Sequence, residues 1–231
     1  MKLRVYNDTL NPDLWDENKK LKPEIGSVLS KVSTDFYKST ELRGEIIDIL
    51  FLGSSANYNW NPNSDIDLHI LIDVTQEKMH PTHTRKFLDV LAFKWNTQHD
   101  IRIRGNKVEV YIQDIGETNN SIGIYSLMNN AWLREPSKEH VELDKEQIKR
   151  KFKILKHKIN QIIETEDPEK LKGVMKDIRN FRQSGLDKTG EFSTENVVFK
   201  ALRHSGLLTK LKDSINNFYD KQVSIKDDIS V

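Results

Sequence analysis

From Asp65 to Asp73 the chain alternates in character: Ile66, Leu68, Ile70 and Ile72 fall on one side, and Asp65, Asp67, His69 and Leu71 on the other. A period of two residues is that of an extended strand, whose successive side chains point to opposite faces. One face is wholly apolar and calls for burial, while the other opens with two carboxylates. Shortly before it, residues 46–52 (IIDILFL) form a nearly continuous apolar run, which reads as a buried strand ending at Gly53. The Ser-, Asn- and Pro-rich residues 53–64 join the two, so this part of the chain is committed to a sheet.

The flanking pattern adds helices. Pro23 suits the first turn of a helix running to about residue 42, with Ile25, Val28, Leu29, Val32, Phe36 and Tyr37 at helical spacing. Residues 82–97 carry a second stripe, Phe87, Leu88, Leu91, Ala92 and Trp95. Residues 101–104 and 107–113 read as a hairpin about Gly105-Asn106. Its second arm puts Val108, Val110 and Ile112 on one face and Glu109, Tyr111 and Gln113 on the other. Residues 122–133 read as a further helix, closed near Pro136. After about residue 140 the text becomes helical throughout: 144–164, 168–183, and 194 towards 219 with Gly206 as an interruption. The expected fold class is therefore α/β (α+β), a sheet-bearing domain over residues 1–139 followed by a helical domain over 140–231, with residues 225–231 loose.

Composition excludes more than it selects. The chain has 231 residues and no cysteine, which rules out disulfide scaffolds, thiolate metal sites and cysteine nucleophiles. No apolar run approaches the length of a bilayer span, and residues 1–8 lack the apolar core of a signal peptide. A soluble, cytoplasmic protein without a membrane partner is expected. The formal net charge of +1 names no partner by itself.

The chemistry-bearing residues lie on the polar face of the alternating strand. Asp65 and Asp67 project their carboxylates side by side, and two such anions repel unless a cation lies between them. Mg²⁺, or Mn²⁺ in its place, is the hard, oxygen-seeking ion for that position and completes its shell with substrate phosphates. Glu109 extends the cluster if its strand runs beside that of Asp65, giving the three carboxylates of a two-metal site. Gly53 and Ser54, where the preceding strand ends, supply a close backbone approach and a hydroxyl for phosphate. Each feature alone is commonplace: a turn, a capping pair, a solvated glutamate. Their conjunction along one stretch of chain is not.

That conjunction resembles a known signature. Leu52-Gly53-Ser54 through Ser64-Asp65-Ile66-Asp67-Leu68 is similar to the motif of the DNA polymerase β nucleotidyltransferase superfamily, and Glu109 in Lys107-Val108-Glu109-Val110-Tyr111 falls where that superfamily places its third carboxylate. The resemblance covers about residues 24–115. It implies a mixed sheet with helices on one face, metal ligation by Asp65, Asp67 and Glu109, and transfer of a nucleoside monophosphate from a triphosphate to a hydroxyl. A narrower likeness, to predicted nucleotidyltransferases of large tailed phages, rests on residues 10–15, 53–59, 95–99 and 108–114. It would place the protein in a host cytoplasm. The third carboxylate is often aspartate in the superfamily. The longer glutamate here leaves open whether Glu109 is a metal ligand or a general base.

Several further features have two readings. His69 shares the face of Asp67 and either meets substrate or is a hydrogen-bonded structural histidine. His80 and His83 are a metal pair on a helix or a surface turn. Arg102 and Arg104 point at phosphates or cover a sheet edge. Tyr58 and Trp60 stack on a base or pack locally. The lysines of residues 145–158 grip nucleic acid or form a solvated face paired with acids. Lys200 and Arg203, three apart on one helical face, are expected to bind nucleotide. The acceptor (RNA, a protein side chain or another nucleotide), the NTP (ATP among them) and the oligomeric state are not chosen by the sequence. The rival functions are a silent nucleotide- or RNA-binding module and a phage–host interaction protein.

Overall fold

The computed structural model describes residues 6–62, 64–77, 80–119, 121–138 and 143–224. The chain divides into two compact units, Met1–Glu139 and His140–Val231. The fold is the expected mixed α/β class, with a sheet in the first unit and helices in the second.

In the first unit, helix α1 (Pro23–Ser39) leads into β1 (Ile46–Leu52), one 3₁₀ turn (Ser54–Ala56) and β2 (Ile66–Ile72). Helix α2 (Pro81–Gln98), β3 (Arg102–Ile103), β4 (Asn106–Asp114), β5 (Ile124–Ser126) and β6 (Ala131–Arg134) follow. The strand order is β3-β4-β2-β1-β5-β6. Strand β2 runs antiparallel to β1 and parallel to β4, so the sheet is mixed. The alternation sorts the side chains as the sequence anticipates. Ile66, Leu68, Ile70 and Ile72 are fully buried, and with Val108, Val110 and Ile112 they meet Leu29, Phe36, Leu88 and Ala92 of the two helices. Burying each large aliphatic side chain is worth roughly 1.5–3 kcal/mol. These seven strand residues therefore fix the register of β2 and β4, since a slip by one would expose them all.

The 122–133 helix does not form. Those residues make the hairpin β5–β6 instead, with Asn130 at φ 48° in its turn. The aromatic rings decide it: Tyr125 packs edge-on against Trp132 and Trp15, and Trp15 stacks on Phe51 and Trp132. The buried Asp48 accepts from Ser126 Oγ at 2.9 Å, tying the hairpin to β1. The β3–β4 turn is also one residue earlier than expected. Arg104 and Gly105 take positive φ, 51° and 87°, the two-residue turn that suits strand twist. Asn106 is the first residue of β4, buried, with its amide given to the Ser64 carbonyl at 2.6 Å. Arg104 thus leaves the strand and does not share a face with Arg102, which pairs with Asp100. Val28 and Phe87, placed on buried stripes by spacing, are 46% and 40% exposed.

The second unit comprises α3 (Lys145–Glu164), α4 (Pro168–Thr189), a 3₁₀ turn (Gly190–Phe192), α5 (Thr194–His204) and α6 (Leu207–Val223). Gly206 does separate the last two, at φ 75°. Asp144, Asp167 and Ser193 cap helix N-termini through side-chain oxygens. Ile148, Ile159, Leu171, Ile178, Val198, Leu202 and Leu211 form a core of this unit's own. Residues 225–231, expected to be loose, lie outside the described residues. No helix of the described residues is long and apolar enough to cross a membrane.

Candidate active site

Asp67, His69, Glu109 and Tyr111 alternate with the buried residues of β2 and β4 and so share the sheet face opposite α1 and α2. Pairing sets Asp67 between Leu52 of β1 and Glu109 of β4, and His69 between Leu50 and Tyr111. Register alone therefore makes Asp67 and Glu109 neighbours on adjacent strands. Asp65 stands one residue ahead of β2, its carbonyl held by Ser55 Oγ at 2.7 Å. Together with the bond from Asn106 to Ser64, this pins the entry of β2 against both the 3₁₀ turn and β4.

Gly53 meets Asp67 directly. It has φ +77°, and a Cβ built on it would lie 1.9 Å from Asp67 Oδ2 and 2.9 Å from Asp67 Cγ. Only glycine allows both the left-handed backbone and the close carboxylate. The Gly53 amide donates to Ser121 Oγ at 3.4 Å, and its carbonyl accepts from Asn57 Nδ2 at 2.6 Å. Ser54 Oγ donates to Ser64 Oγ at 2.8 Å. The turn after β1 is thus a hydrogen-bonded loop whose backbone is held against the aspartate strand.

Glu109 is bracketed by its own strand. Lys107 Nζ lies 3.1 Å from Oε1, and the Tyr111 hydroxyl donates to Oε2 at 2.8 Å. Burial, followed by the charges of Glu109, Asp67 and Asp65, pushes the Tyr111 phenol well above the ordinary tyrosine range. One hydroxyl therefore senses all three carboxylates and stays protonated as a donor beside them. Tyr111 was legible as a member of the right face, yet nothing in the alternation marked it or Lys107 as a partner of Glu109.

The donors are carboxylate oxygens, the type that Mg²⁺ or Mn²⁺ takes. Among the described residues no three His, Asp or Glu side chains converge as a ready-made ligand shell, and Glu109 is engaged by Lys107 and Tyr111. Asp65 and Asp67, two residues apart at the entry of β2, supply oxygen donors of that type.

His69 Nδ1 lies 2.7 Å from Gln113 Oε1. Gln113 orients that oxygen by giving its amide N–H to the Glu117 carbonyl at 3.2 Å, so Nδ1 is the donor. Burial pulls the His69 pKa below its usual value, which keeps the ring neutral near pH 7. The structural reading of His69 is the one observed. The loop aromatics also pack locally: Trp60 Nε1 donates to the Thr9 carbonyl at 2.9 Å, and Lys138 lies 4.6 Å over the Tyr58 ring.

Lys200 and Arg203 lie on α5 in the second unit. Lys200 is 3.7 Å from Glu191. Arg182 stacks over Phe199 at 4.5 Å, and after burial it is the Arg203 charge that most lowers its pKa. Three lysines of α3 are paired with acids, Lys151 with Glu195 at 2.6 Å, Lys158 with Asp177 at 2.9 Å and Lys149 with Glu146 at 3.0 Å.

Neither a family model nor a characterised relative matches the sequence. Among solved structures, the chain aligns with the STING-associated CdnE c-di-GMP synthase from Capnocytophaga granulosa at 14% identity. The alignment covers 91% of this chain and 90% of that one, with a TM-score of 0.24.

Proposed function

We propose that the protein is a metal-dependent nucleotidyltransferase that moves a nucleoside monophosphate from an NTP to a hydroxyl acceptor. The observation that carries this reading is the contact of the Asp67 carboxylate with Gly53, with Glu109 in register on the neighbouring strand. That contact supports the reading because it brings the turn proposed to receive phosphate and the carboxylate proposed to ligate the metal to one point.

Asp65 and Asp67 would hold Mg²⁺ or Mn²⁺. When bound, the ion supplies charge neutralisation at the triphosphate and its leaving group. Gly53 and Ser54 receive phosphate oxygens; Lys200 and Arg203 of the second unit are proposed as nucleotide-binding residues in their own right. The acceptor oxygen bonds to the α-phosphorus as the bond from that phosphorus to the bridging oxygen breaks. Pyrophosphate leaves with the electron pair, and the hydroxyl proton passes to Glu109. Glu109, on the strand beside Asp67, is read as the general base, with Lys107 and Tyr111 orienting its carboxylate.

Binding tests the reading without knowledge of the acceptor. Titration of the wild type with ATP, GTP, CTP and UTP, with and without Mg²⁺, is expected to show metal-dependent binding of at least one. The Asp65→Asn, Asp67→Asn variant should lose that metal dependence. Equal affinity with and without metal in the wild type would contradict the proposal.

A further inference from the structure

The connection from β4 to β5 has to pass β2 and β1, because those two strands lie between its ends in the sheet. It crosses on the side of His69 and Gln113, and a continuous series of hydrogen bonds fastens it there. His69 Nδ1 donates to Gln113 Oε1 at 2.7 Å, and Asn119 Nδ2 donates to the same oxygen at 3.3 Å. Asn119 Oδ1 in turn accepts from the Ser121 amide at 2.9 Å. Ser121 Oγ accepts from the Gly53 amide at 3.4 Å and donates to the Gly123 carbonyl at 2.9 Å. The series starts in the middle of β2 and ends at the turn that lies against Asp67.

Its two ends are held differently. His69 belongs to an interior strand, paired with Leu50 on one side and Tyr111 on the other, and its ring packs on Tyr111 with centroids 5.3 Å apart. Gly53 has left β1 and belongs to no strand. The crossing segment bears closely on its turn: a Cβ built on Gly123 would lie 2.5 Å from the Ala56 carbonyl oxygen. Arg134 Nη1 holds the same segment from β6, donating to the Ser121 and Asn119 carbonyls at 2.7 and 3.2 Å. Gln113 and Ser121 are buried, so a partner lost from either is not freely replaced by water. A turn that is to receive phosphate has to be held to about 0.5 Å by hydrogen bonds behind it.

We propose that His69 is the positioning residue of the phosphate turn: through Gln113, Asn119 and Ser121 it sets where the Gly53 amide stands beside Asp67. The inference rests on the transferase reading for the phosphate, and on the hydrogen bonds alone for the positioning. His69 touches no substrate in this role. The turn seats the triphosphate tail, so a displaced turn weakens an NTP and spares the corresponding monophosphate.

The test compares wild type, His69→Phe, His69→Asn and Ser121→Ala. Phenylalanine keeps a ring and loses Nδ1, whereas asparagine offers an amide N–H in its place. Binding of each NTP and of its monophosphate is measured with Mg²⁺, and exchange of the Gly53 and Ser121 amides is followed by NMR without nucleotide. His69→Phe is expected to weaken NTP binding at least about fivefold, the effect of one lost buried hydrogen bond, to leave the monophosphate unchanged and to speed exchange at both amides. His69→Asn should restore both readouts. Ser121→Ala, which removes a single atom and tests the last link even where His69→Phe unfolds, should reproduce the NTP loss and speed exchange at Gly53. NTP affinity and exchange equal to wild type in His69→Phe and Ser121→Ala overturn the proposal. So does a parallel loss of NTP and monophosphate binding in both, which is what general loosening of the fold would give. Faster exchange in His69→Phe, restored in His69→Asn, in a protein whose wild type binds no NTP with metal would keep the hold of His69 on the turn and remove the transferase reading instead.

Discussion

At the residue scale, Gly53 is the position where backbone conformation and chemistry meet. A side chain there would carry a left-handed φ, costing roughly 1–2 kcal/mol for a non-glycine residue, and would collide with Asp67. Gly53→Ala is therefore expected to lower stability by at least about 1–2 kcal/mol in denaturant unfolding. It should also displace the Asp67 carboxylate, so that metal-dependent NTP affinity falls. Unchanged stability and affinity would mean that the contact with Asp67 is dispensable. That Asp67 and Glu109 each lie on the polar face of their strand was readable because strand alternation assigns faces without three-dimensional information. The contact of Gly53 with Asp67 was not readable, because it depends on which strand lies beside which and on a φ that sequence does not display. Tyr111 illustrates the same limit: its face was evident, but the bond to Glu109 comes from the i, i+2 geometry of one pleated strand.

At the scale of elements, the long periodic segments were legible and the short ones were not. Strand β2 and the helices from residue 144 onward follow from periods of two and near four, which hold over many residues, and β1 follows from its nearly continuous apolar run. The β5–β6 hairpin was misread as a helix because its strands are three and four residues long. Its identity is decided by the Trp15, Tyr125 and Trp132 cluster and by Asp48, contacts distant in sequence. The edge of β4 shows another device invisible to pattern reading. Asn96 supplies from a helix the two hydrogen bonds that a neighbouring strand would give Val110, and Arg85 Nη1 donates to the Ile112 carbonyl at 3.0 Å. An unsatisfied buried backbone group costs about 1–3 kcal/mol. Asn96→Ala should accordingly destabilise the protein by about that amount and speed amide exchange at Val110. Protection at Val110 equal to wild type would show that the strand edge does not need this side chain.

At the scale of the whole molecule, the carboxylate cluster and its glycine turn belong to the first unit, while the second unit has a core of its own and a cationic stretch on α5. The net charge of +1 says nothing of this segregation. Lys200 and Arg203 are proposed to serve the nucleotide, and hydrogen bonds to charged groups are worth about 1.5–3 kcal/mol. The Lys200→Ala, Arg203→Ala variant is expected to bind NTP at least roughly tenfold more weakly, equivalent to about 1.4 kcal/mol. Unchanged nucleotide affinity would confine these residues to the Glu191 and Arg182 surface of their own unit. The central claim, that the protein transfers nucleoside monophosphates, is tested most directly by incubating it with each α-³²P-labelled NTP, Mg²⁺ or Mn²⁺, and RNA, nucleotides and cell lysate in turn, beside the Asp65→Asn, Asp67→Asn variant. Label transferred by the wild type to an acceptor, and lost in the variant, is the predicted result. Transfer that survives in the variant, or no transfer from any NTP to any acceptor with either metal, would contradict it.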